Sequence, residues 1–153
     1  MIKNSEDVHS PVSQRLVDLI ERHADELTKQ YLREVKLNVR LPAYGSFNEG
    51  ELYDRAYRVY SHLGKWISQE INKEEFKCYW KDLGKQRRSE GFPLSEIILS
   101  LCILRAQLWQ KVESEGLLDT ALDLYQAMEL NHRVIAFFDR AIYCTTCGYE
   151  EQD

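Results

Sequence analysis

Apolar residues recur along the chain at intervals of three and four, and nowhere alternate at every second position as a half-buried strand requires. The pattern predicts helices throughout. A first helix opens at Ser10-Pro11, with Ser as N-cap and Pro at the first helical position. It carries Val12, Leu16, Leu19, Ile20, His23, Leu27 and Tyr31 on one face and ends between Val35 and Arg40. Leu41-Pro42-Ala43-Tyr44-Gly45-Ser46 reads as a loop. Asn48-Glu49-Gly50-Glu51 has the form of a capping box. The helix behind it turns Leu52, Ala56, Val59, Tyr60, Leu63 and Ile67 inward, with Trp66 at the margin. Asn72-Lys73-Glu74-Glu75 repeats the cap and opens a helix whose inner face is Phe76, Tyr79, Trp80 and Leu83.

A corner at Gly91-Phe92-Pro93 leads into the most apolar helix, about Pro93 to Glu113. Leu94, Ile97, Ile98, Leu101, Leu104, Leu108, Trp109 and Val112 make its broad inner face, while Leu99 and Ile103 point away and call for a second apolar contact. Arg105 projects near the centre of the inner face. Such a group must be paired, for instance with Glu129 or Asp54, or reach solvent along its stem. It can also anchor a carboxylate whose tail lies among Tyr60, Leu101, Leu108 and Trp109, because a guanidinium donates two parallel bonds. Ser114-Glu115-Gly116 ends the pattern. The last helix, from Leu117 or Asp119 towards Gly148, carries Leu118, Ala121, Leu122, Tyr125 and Met128 on one face. After Asn131 the apolar set is Val134, Ile135, Phe137, Phe138, Ala141 and Ile142, on a rotated face. These two-faced late helices predict a homodimer through Leu99, Ile103, Val134, Ile135, Phe138 and Ile142. The expected fold is all-α, a globin-like or irregular bundle of about five main helices with a long C-terminal helix and no sheet. Residues 1–9 read as a tail, 10–149 as one domain and 150–153 as a second tail.

Composition narrows the function classes. A net charge of −5 over 153 residues disfavours nucleic acid as a partner. No apolar run reaches the length of a membrane span, and the polar start is no signal peptide. Four cysteines without framework spacing suit a reducing cytoplasm. Cys144-Thr145-Thr146-Cys147 is a lone CxxC at a helix end, and Cys78 and Cys102 read as packing residues. The histidines form no helix-borne metal pair, and no metal is expected. No nucleophile, phosphate-loop or dinucleotide motif appears, so the chain reads as non-catalytic. Lys73, Lys77, Lys81 and Lys85 form a stripe interspersed with Glu74, Glu75 and Asp82, which reads as a solvated face.

The run Tyr79-Trp80-Lys81-Asp82-Leu83-Gly84-Lys85-Gln86-Arg87-Arg88-Ser89-Glu90-Gly91-Phe92-Pro93-Leu94-Ser95-Glu96 resembles the LG-x-x-R-x-x-EG-x-PL-x-E signature of RsbR-type N-terminal sensory domains. These are stressosome-associated, non-haem globin-like domains, also called RsbRD N-terminal. Glu129-Leu130, Phe137 to Tyr143 and, more weakly, Tyr60 to Ile67 are similar to other parts of that family. The resemblance implies a globin-like fold, a homodimer through the last two helices, and bacterial stress signalling. In that family the domain usually precedes an effector, whereas this chain stops at Asp153. Some globin-like relatives bind fatty acid in the core, which implies a fatty-acid-like ligand. Independently, residues 72–90 contain no His, so no haem is expected. Gly91 and Pro93 are expected to set the corner, and Arg87 and Glu90 to brace it by pairing. The leading expectation is a haem-free dimeric signalling domain acting on a partner or effector. A fatty-acid-like binding module gated by Arg105 and a ligand-free scaffold are its alternatives.

Overall fold

The computed structural model describes residues 6–68, 71–115 and 118–151, with side chains from residue 14 onward. Helices account for the regular structure, and the described residues include no strand. The first expected helix is two. α1 (Glu6–Arg22) and α2 (Ala24–Leu37) break at His23, whose ring Nδ1 lies 2.8 Å from the Leu19 carbonyl. His23 is therefore a half-buried junction residue rather than the centre of a continuous apolar face. The start at Glu6 also places helix within the stretch expected to be tail.

The Pro42–Ser46 segment is a short helix, α3, not a loop. Its first free amide, Ala43 N–H, donates to the buried Glu96 carboxylate from far along the chain. α4 (Glu49–Ser61) and α6 (Lys73–Ser89) start where their caps predict. Asn48 Oδ1 accepts from Glu51 N–H, and Asn72 Oδ1 from Glu74 and Glu75 N–H, satisfying amides that lack helical partners. The expected continuation of α4 is cut at His62, and α5 (Leu63–Ile67) turns Trp66 into the core. α7 (Leu94–Ser114) follows Pro93, and α8 (Ala121–Glu150) is capped by Thr120.

α8 spans 30 residues and buries Ala127, Leu130, Val134, Phe137, Phe138, Ala141, Thr145 and Gly148. Apart from the adjacent pair Phe137 and Phe138, those positions advance by three or four and make one continuous stripe, so the helix does not change faces. Its N-terminal half instead turns Gln126 and Ala127 inward and leaves Leu122, Tyr125 and Met128 in solvent, 61%, 59% and 59% exposed. Along this stripe α8 packs against α6, α7 and α1, while α2 packs against α4 and α7.

The α6–α8 crossing is backbone against backbone. A Cβ built on Gly84 would lie 2.0 Å from the Thr145 carbonyl oxygen, and one on Gly148 would lie 2.0 Å from that of Lys81. No rotamer change relieves a clash with main chain. Gly84→Ala or Gly148→Ala is expected to destabilise the fold by about 3 kcal/mol or more. Gly45→Ala, whose Cβ meets only ordinary contact at 3.5 Å, serves as the control. Chemical denaturation of the three variants checks this.

Candidate functional site

The residues of the corner signature converge on one structure. Gly84 admits α8, as above. Arg87 is 4% exposed and pairs with Glu90 at 3.0 Å. Its guanidinium lies 4.8 Å from the Phe92 ring, 5.3 Å from that of Phe47 and 5.7 Å from that of Tyr44. A buried cation among three ring faces and one carboxylate is held by both kinds of attraction. Gly91 takes φ +86°, a left-handed value that glycine adopts without strain. Pro93 precedes α7 in extended backbone, and Glu96 ties α7 to α3. Arg87, Glu90, Gly91 and Pro93 thus form the brace that the sequence suggests.

Arg87 also walls a small cavity between α2, α4, α6 and α7. Its volume is about 30 Å³, and its lining includes Tyr31, Tyr44, Arg55, Trp80 and Ser100. Arg55 donates to Gln86 and is held below the usual arginine range, first by burial and then by the Arg87 charge. Burial pushes the Tyr31 and Tyr44 hydroxyls up. The Ser100 hydroxyl donates to the Ile97 carbonyl at 2.7 Å and sits 3.0 Å from Tyr44 Oη. Trp80 Nε1 is buried without a hydrogen-bond partner. Periodicity does not assign this cluster to a site. The one trace in the sequence is Arg55, three residues beyond Leu52 and next to Ala56 on an inward face.

The expected ligand pocket is not assembled. Arg105 is on the margin of α7, its side chain 35% exposed, and lies 4.0 Å from Asp139 rather than beside Glu129 or Asp54. The reason is a rotation of the buried face: Glu96, Ser100, Ile103, Gln107 and Lys111 are all buried, which swings Arg105 outward. Gln107 donates to Glu34, and Lys111 pairs with Glu115 and Glu26, so these polar groups are satisfied. Tyr60 is buried and donates to the Leu104 carbonyl at 2.8 Å. Leu101 lines the Arg87 cavity, whereas Leu108 and Trp109 line a separate void of about 10 Å³.

The expected dimer residues also divide. Ile103, Val134 and Phe138 lie inside the chain's own core and are closed to a partner, because the α7 and α8 stripes that bury them face inward. Leu99 and Ile142 are half-buried against the core, and Ile135 is exposed. Missed by the sequence reading is the solvent face of α8 made by Leu122, Tyr125 and Met128. Their apolar character was legible, but their direction was not.

The outer chemistry is modest. Burial raises the Cys144 thiol, which disfavours the reactive thiolate. Lys81 and Lys85 both pair with Glu151, holding its carboxyl below the usual range, so half of the lysine stripe is engaged with the end of α8. His62 and His132 are exposed. Among the described residues no helix is long and apolar enough to cross a membrane.

No known family profile matches the chain, and no curated protein matches it. The chain is similar to a solved structure, the globin domain of DosC from E. coli in a ferrous form. The TM-score is 0.73 over 90% of this chain and 89% of that one, at 16% identity. The fold is a globin fold. In this globin fold the two arginines play opposite parts. Arg87→Met removes a buried cation and strands Glu90, and is expected to cost about 3 kcal/mol. Arg105→Met removes a half-exposed, long-range pair and is expected to cost less than about 1 kcal/mol. Urea unfolding of both variants checks this, and equal losses would place Arg105 in the core after all.

Proposed function

We propose that this chain is a haem-free, non-catalytic globin-like signalling domain that acts as a homodimer through α7 and α8. The observation that carries the proposal is the solvent-facing apolar set on α8. Leu122, Tyr125, Met128 and Ile135 are exposed on the outer side of the helix, and Leu99 on α7 is only half-covered. Several large apolar side chains left in solvent on one helix are what an interaction site leaves uncovered in a single copy. A second copy covering them buries what the chain's own core leaves out. The resemblance of the corner to RsbR-type sensory domains supports the same reading, with bacterial stress signalling in the cytoplasm and an effector or partner as recipient.

A haem-free state is supported by two independent features. Residues 72–90, the stretch leading into the corner, contain no His. The cavity bounded by α4, α6 and α7 has about 30 Å³, room for one water against the several hundred Å³ of an ordinary ligand pocket. A non-catalytic role is supported by the partners that most buried polar side chains already have within the protein, Trp80 Nε1, Gln126 Oε1 and Thr145 Oγ1 excepted. Thr28, Arg87, Glu96, Ser100, Gln107 and Lys111 all have structural partners.

A second reading keeps the small-molecule module, with its anchor moved from Arg105 to Arg55 and Arg87, and it requires the cavity of about 30 Å³ that they line to open for the tail. A fatty-acid-like carboxylate is the guest that two guanidiniums favour, and native mass spectrometry of protein isolated under mild conditions tests it. Co-purified acid favours this reading, and bare protein removes it.

Sedimentation at micromolar concentration is expected to give a dimer, and Met128→Glu with Tyr125→Glu a folded monomer whose melting temperature no longer depends on protein concentration. A wild-type monomer would sink the dimer. Mixing with haemin is expected to produce no stoichiometric Soret band, and a saturating band at one haem per chain would overturn the haem-free assignment.

A further inference from the structure

Phe92 is the one residue of the corner that faces two ways. Its ring is buried in the Arg87 cage, 4.6 Å from the Tyr44 ring and 4.9 Å from that of Phe47. Its backbone carbonyl accepts from Tyr149 Oη at 2.8 Å, a bond between residues 57 apart in the chain. Its amide donates to the Arg87 carbonyl at 3.0 Å, so the residue cannot shift without disturbing the corner. Tyr149 is gripped a second time. Arg88 donates to its carbonyl at 2.8 Å and lies over its ring at 5.7 Å. Two residues on, Glu151 is held by Lys81 and Lys85.

We infer that the α6–α7 corner is a latch for the last turn of α8, and that α3 controls it through the ring of Phe92. Tyr44 is on α3, lines the cavity of Arg55 and Arg87, and touches Phe92. A change at α3 therefore reaches the carbonyl that holds Tyr149. The contacts of Gly84 with Thr145 and Tyr149 and of Gly148 with Lys81 lie next to the latch and leave α8 no room to move further into α6. Release can only let the last turn swing away from the corner. The bonds that oppose release are few and mostly exposed to solvent, each of small net strength, so the released state is within thermal reach. Two arrangements of one element, biased from a separate place, are the physical requirement for a relay. The latch rests on the signalling reading for its purpose but not for its existence.

Amide hydrogen exchange on the whole chain tests it, read at residues 148–151 and separately at 88–93. Tyr149→Phe removes only the bond to Phe92 and is expected to raise exchange at 148–151 by about fivefold. Tyr44→Leu removes the ring that seats Phe92, and is expected to raise exchange at 148–151 by a similar factor. Tyr44→Phe keeps the ring and is expected to leave those amides unchanged. The Tyr44→Leu and Tyr149→Phe double variant is expected to exchange no faster there than either single one. Should Tyr44→Leu fail to fold, Phe47→Leu withdraws a half-buried ring from the same cage. Faster exchange at 88–93 with none at 148–151 in the ring-removal variant would overturn the latch. So would an unchanged 148–151 in Tyr149→Phe. Sedimentation and haem titration decide the signalling reading by separate measurements, so either idea can fail alone.

Discussion

The contact on which the rest of the structure depends is the crossing of α6 and α8 at Gly84 and Gly148. Two helices can approach to main-chain contact only where side chains are absent, and here each supplies the missing side chain for the other. The approach sets where α8 lies, and α8 in turn fills the centre of the molecule with Phe137, Phe138 and Ala141. It also explains why Thr145 is buried. Its backbone oxygen must face Gly84, and its hydroxyl is carried inward without a hydrogen-bond partner. That cost, of order 1–3 kcal/mol, is accepted in exchange for the close packing around it.

Features written in adjacent residues were legible in the sequence. Asn48 and Asn72 cap the helices that their side chains can reach, and Gly91 and Pro93 set a turn by their own backbone preferences. Features that depend on which helix faces which were not. Helical periodicity groups Leu122, Tyr125 and Met128 together correctly, but hydrophobicity has no sign for inside or outside when a partner surface is equally dry. The register of α8 is decided by Gly148, Ala141 and Ala127, whose small size lets neighbours approach. Arg105 failed for a related reason. A face drawn through Leu, Ile and Trp ignores Ser100, Gln107 and Lys111, which are buried because Tyr44, Glu34 and Glu26 wait opposite them.

The signature at the corner gains detail in three dimensions. Read as a string it suggests a structural brace made by Arg87, Glu90, Gly91 and Pro93. In the fold its residues admit a helix, cage a cation, reverse the chain and hold α3, all of them structural duties. A motif of this sort identifies an architecture, and the chemistry that distinguishes one member from another is then sought at its edges. Here that edge is the Arg55 side of the small cavity.

The ring of Phe137 lies 5.9 Å from that of Trp66, 5.8 Å from Phe76, 5.7 Å from Trp80 and 4.7 Å from Phe138. This aromatic centre joins α5 and α6 to a helix that the ribosome makes well after them. Contacts between residues so distant in sequence carry a loop-closure cost before they return any burial. Until α8 emerges, a nascent chain displays Trp66, Phe76 and Trp80 with nothing to cover them. The protein therefore has no early foldable half. Its core closes only once α8 has emerged, and a chain interrupted before Phe137 is a client for chaperones rather than a smaller version of the domain.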